Sequence, residues 1–150
     1  MRTHLNRSIT AAIMTLLVAG TLFAGATTPL AAQDKTVVVH LGTLNDDWQS
    51  TLMAMGVATN LLRAGADVTV YVDRNAVRMA EPRQPLGVIL DRDVGAMVEE
   101  FVEMGGRFLV CEHCAGIAGV DGRQLRPGFT IGGPEDVAAI FMAADIVVSF

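Results

Sequence analysis

The sequence predicts an α/β fold, a three-layer α/β/α sandwich whose mostly parallel sheet has four to five strands. Short β-branched runs alternate along the chain with longer segments whose apolar residues recur every three or four positions. The runs are largely apolar throughout, as in parallel strands covered on both faces. Clusters of Gly, Pro, Asn and Asp separate the two kinds of segment. Strands alternating with helices imply right-handed crossovers, and those place helices on both sides of the sheet. With 51% apolar and 18% charged residues in 150, the chain is expected to form one core, and disorder is excluded.

Thr36 to Leu41 (TVVVHL) is expected as the first and most central strand. Asn45 or Asp46 then N-caps a helix whose sheet-facing stripe is Trp48, Leu52, Met55, Thr59 and Leu62, stopping at Gly65. Asp67 to Val72 is the second strand, and Arg74 to Ala80 a short helix or turn that the prolines of EPRQPLG bring to an end. Asp91 or Asp93 caps the next helix, with Val94, Met97, Val98, Phe101 and Met104 inward and Glu99, Glu100 and Glu103 outward. Gly105-Gly106 closes it, and Arg107 to Val110 leads as a strand straight into Cys111. Phe129 to Ile131 reads as a minor extended piece within a loop. Pro134 opens a helix reaching Ala144, because its missing N–H costs nothing in a first turn and Glu135 and Asp136 suit the positive end of the dipole. Asp145 to Phe150 (DIVVSF) is the terminal strand. The methionines at 53, 55, 79, 97, 104 and 142 read as core residues, not as a soft-metal site.

Residues 1–32 are expected to be a secretory signal peptide. Arg2 and Arg7 precede the uncharged run Ile9 to Phe23, which is short and small-residued for a membrane anchor. Ala24-Gly25-Ala26 and Leu30-Ala31-Ala32 offer cleavage sites, so the cut is placed between about 26 and 32, leaving a single domain over 33–150. The expected location is periplasmic or secreted, with no membrane contact after cleavage. That compartment is oxidising, where a thiol pair can stand as a disulfide. Arg2 and Arg7 leave with the signal and no acid goes with them, so the domain is more acidic still than the −5 of the full chain. A broad footprint for nucleic acid is thereby excluded.

The chemistry is concentrated in C-E-H-C, Cys111 to Cys114, directly behind a strand. A thiolate there gains from unpaired backbone donors, and His113, if protonated, adds to the effect, whereas Glu112 opposes it. Three readings stay open at this point. Cys111 and Cys114 can carry sulfur or exchange disulfides, one attacking and the other resolving. They can join His113, and His40 from the first strand, as metal ligands, although zinc asks for four and no second C-x-x-C or H-x-x-x-H exists. Or they are two buried small hydrophobes. Asp46 and Asp47 are better read as helix caps than as paired acid–base carboxylates. There is no G-x-G-x-x-G, P-loop or G-x-S-x-G, so no cofactor is expected. The carboxyl ends of the strands, where ligands collect in such sheets, are Leu41 to Asn45, Asp73-Arg74 and the segment from Cys111.

From Val37 to Phe150 the chain resembles the DsrE/DsrF-like family of sulfur-relay proteins. The resemblance is carried by the opening strand, LLRAGADVTVYVD, EEFVEMGGRFLVC, the spacing from Cys111 to Gly119-Val120 and the closing AADIVVSF. It implies a parallel α/β/α subunit that assembles into homotrimers or homohexamers. It also implies that Cys111 holds a persulfide, taken from a sulfur donor protein or polysulfide and passed to an acceptor. Such a protein is closer to a carrier than to a turnover enzyme. Relay members often carry arginines just before the matching glycine, where this chain has Ile117-Ala118. Cys114 exceeds what a one-cysteine relay needs, and its expected role is to discharge the persulfide by forming a disulfide. The reading from a different class is an oligomeric binding module using a pocket beside His40, Asn45 and Arg74, with the cysteines stapling a loop or ligating a metal.

Overall fold

The computed structural model describes residues 34–150, so the signal-peptide expectation for 1–32 lies outside the described residues. Five parallel strands form one sheet in the order β6-β5-β2-β1-β7, from β1 (Thr36–Leu41), β2 (Asp67–Val72), β5 (Arg107–Cys111), β6 (Phe129–Gly132) and β7 (Ile146–Ser149). A two-residue hairpin, β3 (Val88–Ile89) and β4 (Arg92–Asp93), stands apart from it. The helices are α1 (Trp48–Arg63), α2 (Val94–Glu103), α3 (Glu112–Ala118) and α4 (Pro134–Ala143), with a 3-10 helix over Arg74–Ala80.

Strand alternation sorts the sheet into two unlike faces. Val37, Val39 and Leu41 of β1, Val68, Val70 and Val72 of β2, and Phe108 and Val110 of β5 share the main core with Ala54, Met55 and Ala58 of α1 and Val94, Val98 and Phe101 of α2. Phe108 anchors this side, packed edge-on to Phe101 at 5.2 Å and stacked on Phe129 at 4.0 Å. The other face carries Val38, His40, Thr69, Tyr71 and Leu109, and α4 covers it through Phe141, whose ring meets Tyr71 edge-on at 5.5 Å. These are the three layers expected, but the second helical layer is thin: α4 buries none of its residues fully.

Several sequence expectations need correction. The centre of the sheet is β2, not β1, because β5 and β6 continue outward past β2 while β7 returns to the far side of β1. Phe129 to Gly132 is a paired edge strand, not a minor piece of loop; the Phe129–Phe108 stack holds it against β5. The cap of α1 is Asp47, whose carboxylate accepts from Ser50 N at 3.0 Å and Ser50 Oγ at 2.6 Å. Asp46 instead accepts from Leu44 N at 3.0 Å within the preceding turn. Along α1 the deepest line is Thr51, Ala54, Met55, Ala58 and Thr59, since alanines let the helix approach the sheet closely, and Trp48, Leu52 and Leu62 pack half-buried beside it. Asp93 caps α2 as one of the two expected choices, accepting from Ala96 N at 3.1 Å. Of the six methionines, Met55 and Met79 are core and Met97 packs against it, whereas Met53, Met104 and Met142 are exposed.

Arg126 ties the long connection before β6 to the 3-10 helix. Its Nε donates to Met79 O at 2.9 Å, its Nη2 donates to Gln84 O, and its backbone N–H donates to Ala80 O at 2.8 Å. Arg126→Met removes the two side-chain donors from partly buried carbonyls. A loss of about 1–3 kcal/mol in urea unfolding is expected, and an unchanged midpoint would show that the connection is held elsewhere.

Candidate functional site

Cys111 is the last residue of β5 and, with φ −58° and ψ 114°, the N-cap of α3. The chain therefore turns from strand to helix on the cysteine itself, and the amides of the first helical turn, which have no intrahelical acceptor, converge on its sulfur. Cys114 N donates to Cys111 Sγ at 3.4 Å, so the thiol does what a Ser or Asp cap does elsewhere. This geometry fixes the meaning of the C-x-x-C spacing. The second cysteine supplies the third amide of the helix, and its own thiol lies within hydrogen-bonding reach of the first. Both cysteines are free and half-buried.

Register brings a residue that motif reading passes over. Tyr71 of β2 pairs with Leu109 of β5, so Cys111 lies two residues further along the same face of the neighbouring strand. Tyr71 lines one cleft with Cys111, Glu112, His113, Gly132, Gly133, Pro134, Val137 and Ala138, a space of about 680 Å³ at the carboxyl end of the sheet. Its only sequence signal is a hydroxyl-bearing aromatic set between Val70 and Val72, which does not say which strand adjoins it.

The two thiols are driven apart electrostatically. Partial burial pushes the Cys111 thiol up, but hydrogen bonds from the Cys114 amide, the Cys114 thiol, the Tyr71 hydroxyl and the His113 amide outweigh it, and its pKa falls below the ordinary thiol value. Burial first, and then the Cys111 sulfur, raises Cys114, against a hydrogen bond from the Arg74 amide. Burial and the bond to Cys111 likewise raise the Tyr71 hydroxyl, which stays a donor. One sulfur is thus set up to attack and the other to remain protonated until called on.

Behind the cleft, His40 stacks obliquely on Tyr71 at 5.5 Å. His40 Nε2 lies 3.1 Å from Asp73 Oδ1 but without hydrogen-bond alignment, and it is buried with no hydrogen-bond partner. Asp73 Oδ1 is also 3.1 Å from Arg74 Nε. Arg74 adopts φ +43°, and its guanidinium lies over Gly42, where a Cβ would come within 1.7 Å of Nη2. A side chain at 42 would have to displace this largely exposed guanidinium.

The expected residues are thus partly gathered. Cys111 and Cys114 meet, while His113, an exposed residue, contributes its amide and is among the residues lining the cleft. His40 and Arg74 share Asp73, and Asn45 is exposed and does not line the cysteine cleft. Among the described residues, no group of three or more His, Cys, Asp and Glu is placed to hold a metal ion. A second groove of about 630 Å³ lies between α1 and the hairpin, lined by residues such as Leu52, Met53 and Leu90, and contains no nucleophile.

The model of the DsrE/DsrF-like family matches residues 36–150, and the chain belongs to that family. No curated protein matches it. Among solved structures it is similar to the ychN protein from E. coli, at 19% identity and a TM-score of 0.68 over 77% of this chain and 99% of that one. It is also similar to MTH1491 from Methanobacterium thermoautotrophicum, described as a protein of unknown function, at 20% identity and a TM-score of 0.62 over 78% and 100%. At these identities the likeness establishes the fold.

The Tyr71 hydroxyl favours the ionised form of Cys111, so removing it must raise that thiol's pKa. Iodoacetamide labelling of Cys111, followed by peptide mass against pH, is expected to reach half-completion at a lower pH than labelling of Cys114. In Tyr71→Phe the curve should move to higher pH, and superimposable curves would refute the Tyr71 contribution.

Proposed function

We propose that this DsrE/DsrF-like protein is an exported, periplasmic sulfur carrier, in which Cys111 accepts and passes sulfane sulfur and Cys114 resolves the persulfide. The observation that carries the reading is the unequal pair of neighbouring thiols, of which the attacking one lines the cleft and is capped by the amide of the other. In loading, the Cys111 thiolate attacks the terminal sulfane sulfur of a polysulfide or protein persulfide. A new S–S bond forms on Cys111, the donor's S–S bond breaks, and the donor leaves as a thiolate or shortened polysulfide.

Unloading has two balanced courses. An acceptor thiolate attacks the outer sulfur and takes it, returning Cys111 as a thiolate. Alternatively the Cys114 thiolate attacks Sγ of Cys111, a Cys111–Cys114 disulfide forms and hydrosulfide departs, so that the sulfane sulfur is reduced and the two cysteines are oxidised. A dithiol reductant then restores the pair. His113 stands on the cleft wall, where its ring can meet the incoming or leaving sulfur.

Export is supported by the basic start, apolar run and small-residue cleavage sites of residues 1–32. Self-association into trimers or hexamers is supported by α4, which is largely apolar yet buries no residue and exposes Met142, and by the exposure of Ile146 and Val147 on β7.

Mass spectrometry of the reduced protein after exposure to polysulfide tests the carrier chemistry. The expected result is one added sulfur on Cys111, absent in Cys111→Ser, and longer-lived in Cys114→Ser than in the wild type. A disulfide inert to both polysulfide and mild reductant would overturn the proposal in favour of a structural staple.

A further inference from the structure

Charge is unevenly distributed around the cysteine cleft. Glu112 lines it, and Glu135 and Asp136 occupy the first turn of α4 beside Pro134, which also lines it. A methyl group on Gly133 would stand 3.4 Å from Glu112 Oε2 and 4.0 Å from Asp136 Oδ2, so these two carboxylates overhang the same stretch of cleft wall. None of the three takes part in an ion pair among the described residues, whereas Asp67, Glu81, Glu100, Asp121 and Asp145 each have an Arg or Lys partner. The Arg74 guanidinium nearby is engaged by Asp73. The N-termini of α3 and α4 offset these charges by about half a unit each. Three full negative charges against two halves leave the mouth negative.

A reactive thiol inside a negative mouth discriminates among partners before any bond forms, because like charge lowers the local concentration of an anionic donor. We infer that the rim formed by Glu112, Glu135 and Asp136 selects a protein partner that presents lysines or arginines around its reactive sulfur, and disfavours anionic sulfur compounds. The carboxylates lie on two elements flanking the cleft, α3 and the first turn of α4, so a surface bearing several cations meets them together where one small cation cannot. This rests on Cys111 being the attacking thiol and adds which partners reach it.

The test uses thiol–disulfide exchange, which needs no sulfane sulfur. Two peptides of equal length carry one cysteine activated as a 2-pyridyl disulfide, flanked by lysines in one and glutamates in the other; cystamine is the small cationic probe. The Cys111 thiolate attacks the peptide sulfur, a mixed disulfide forms, the pyridyl S–S bond breaks and 2-thiopyridone leaves with the proton. At low ionic strength the lysine peptide is expected to react about tenfold faster than the glutamate peptide, falling to about twofold in roughly 0.5 M salt. The ratio should also collapse in Glu112→Gln/Glu135→Gln/Asp136→Asn, where the asparagine keeps an acceptor for the Gly133 amide. Because a ratio between probes is read, any change in the Cys111 pKa cancels. Equal rates, a faster glutamate peptide, or a preference that survives the triple substitution would overturn the inference. Cystamine matching the lysine peptide, relative to their rates with free cysteine, would overturn the choice of a protein partner. Exchange without charge order leaves the carrier proposal standing, and no exchange at Cys111 overturns both.

Discussion

The site depends on one capping interaction, the Cys114 amide donating to Cys111 Sγ at 3.4 Å. A helix that begins immediately behind a strand has amides with no acceptor within it, and the residue at the junction must satisfy them. Placing cysteine there makes the cap and the proposed nucleophile the same atom. The amides that need an acceptor favour the charged form of the sulfur, as do the Cys114 thiol and the Tyr71 hydroxyl, so the lowered pKa rests on hydrogen bonds and not on a nearby cation. The residues just before Gly119, Ile117-Ala118, likewise carry no charge.

The surrounding elements hold that junction in place. β5 is fixed between β2 and β6, with Cys111 opposite Gly132, so the strand cannot slide without displacing the sulfur. Tyr71 reaches the cysteine from β2 and is itself held between His40 and Phe141. On the other side, Gly42 leaves room for the Arg74 guanidinium, and the left-handed Arg74 backbone turns an amide toward Cys114. The inequality of the two thiols is therefore a property of the assembled sheet end, although the tetrapeptide that carries it is local.

Local pattern made much of this legible. The β-branched runs at Thr36–Leu41 and Asp67–Val72, the α2 stripe from Val94 to Phe101 and the strand leading into Cys111 are written in short-range periodicity, and the structure has them at those residues, with only Met104 of the stripe left exposed. What escaped depends on distant partners. Phe129 makes a strand because Phe108 is available to stack on, and β2 is central because of where β5 and β7 pair, neither of which periodicity encodes. The choice of Asp47 over Asn45 or Asp46 turned on a single residue of helix start. Tyr71 was invisible as a site residue because its role comes from strand register. An apolar α4 also reads as a core helix, and nothing local reveals that it lies largely open to solvent.

The central claim is that Cys111 ionises more readily than Cys114, and ultraviolet thiolate absorbance followed through a pH titration measures that directly in single-cysteine proteins. With Cys114→Ser, where the serine hydroxyl can keep the hydrogen bond that the Cys114 thiol makes, the remaining Cys111 should ionise at a lower pH than a free cysteine thiol. With Cys111→Ser, Cys114 should ionise later than Cys111 does. Coincident curves, or Cys114 ionising first, would contradict the account.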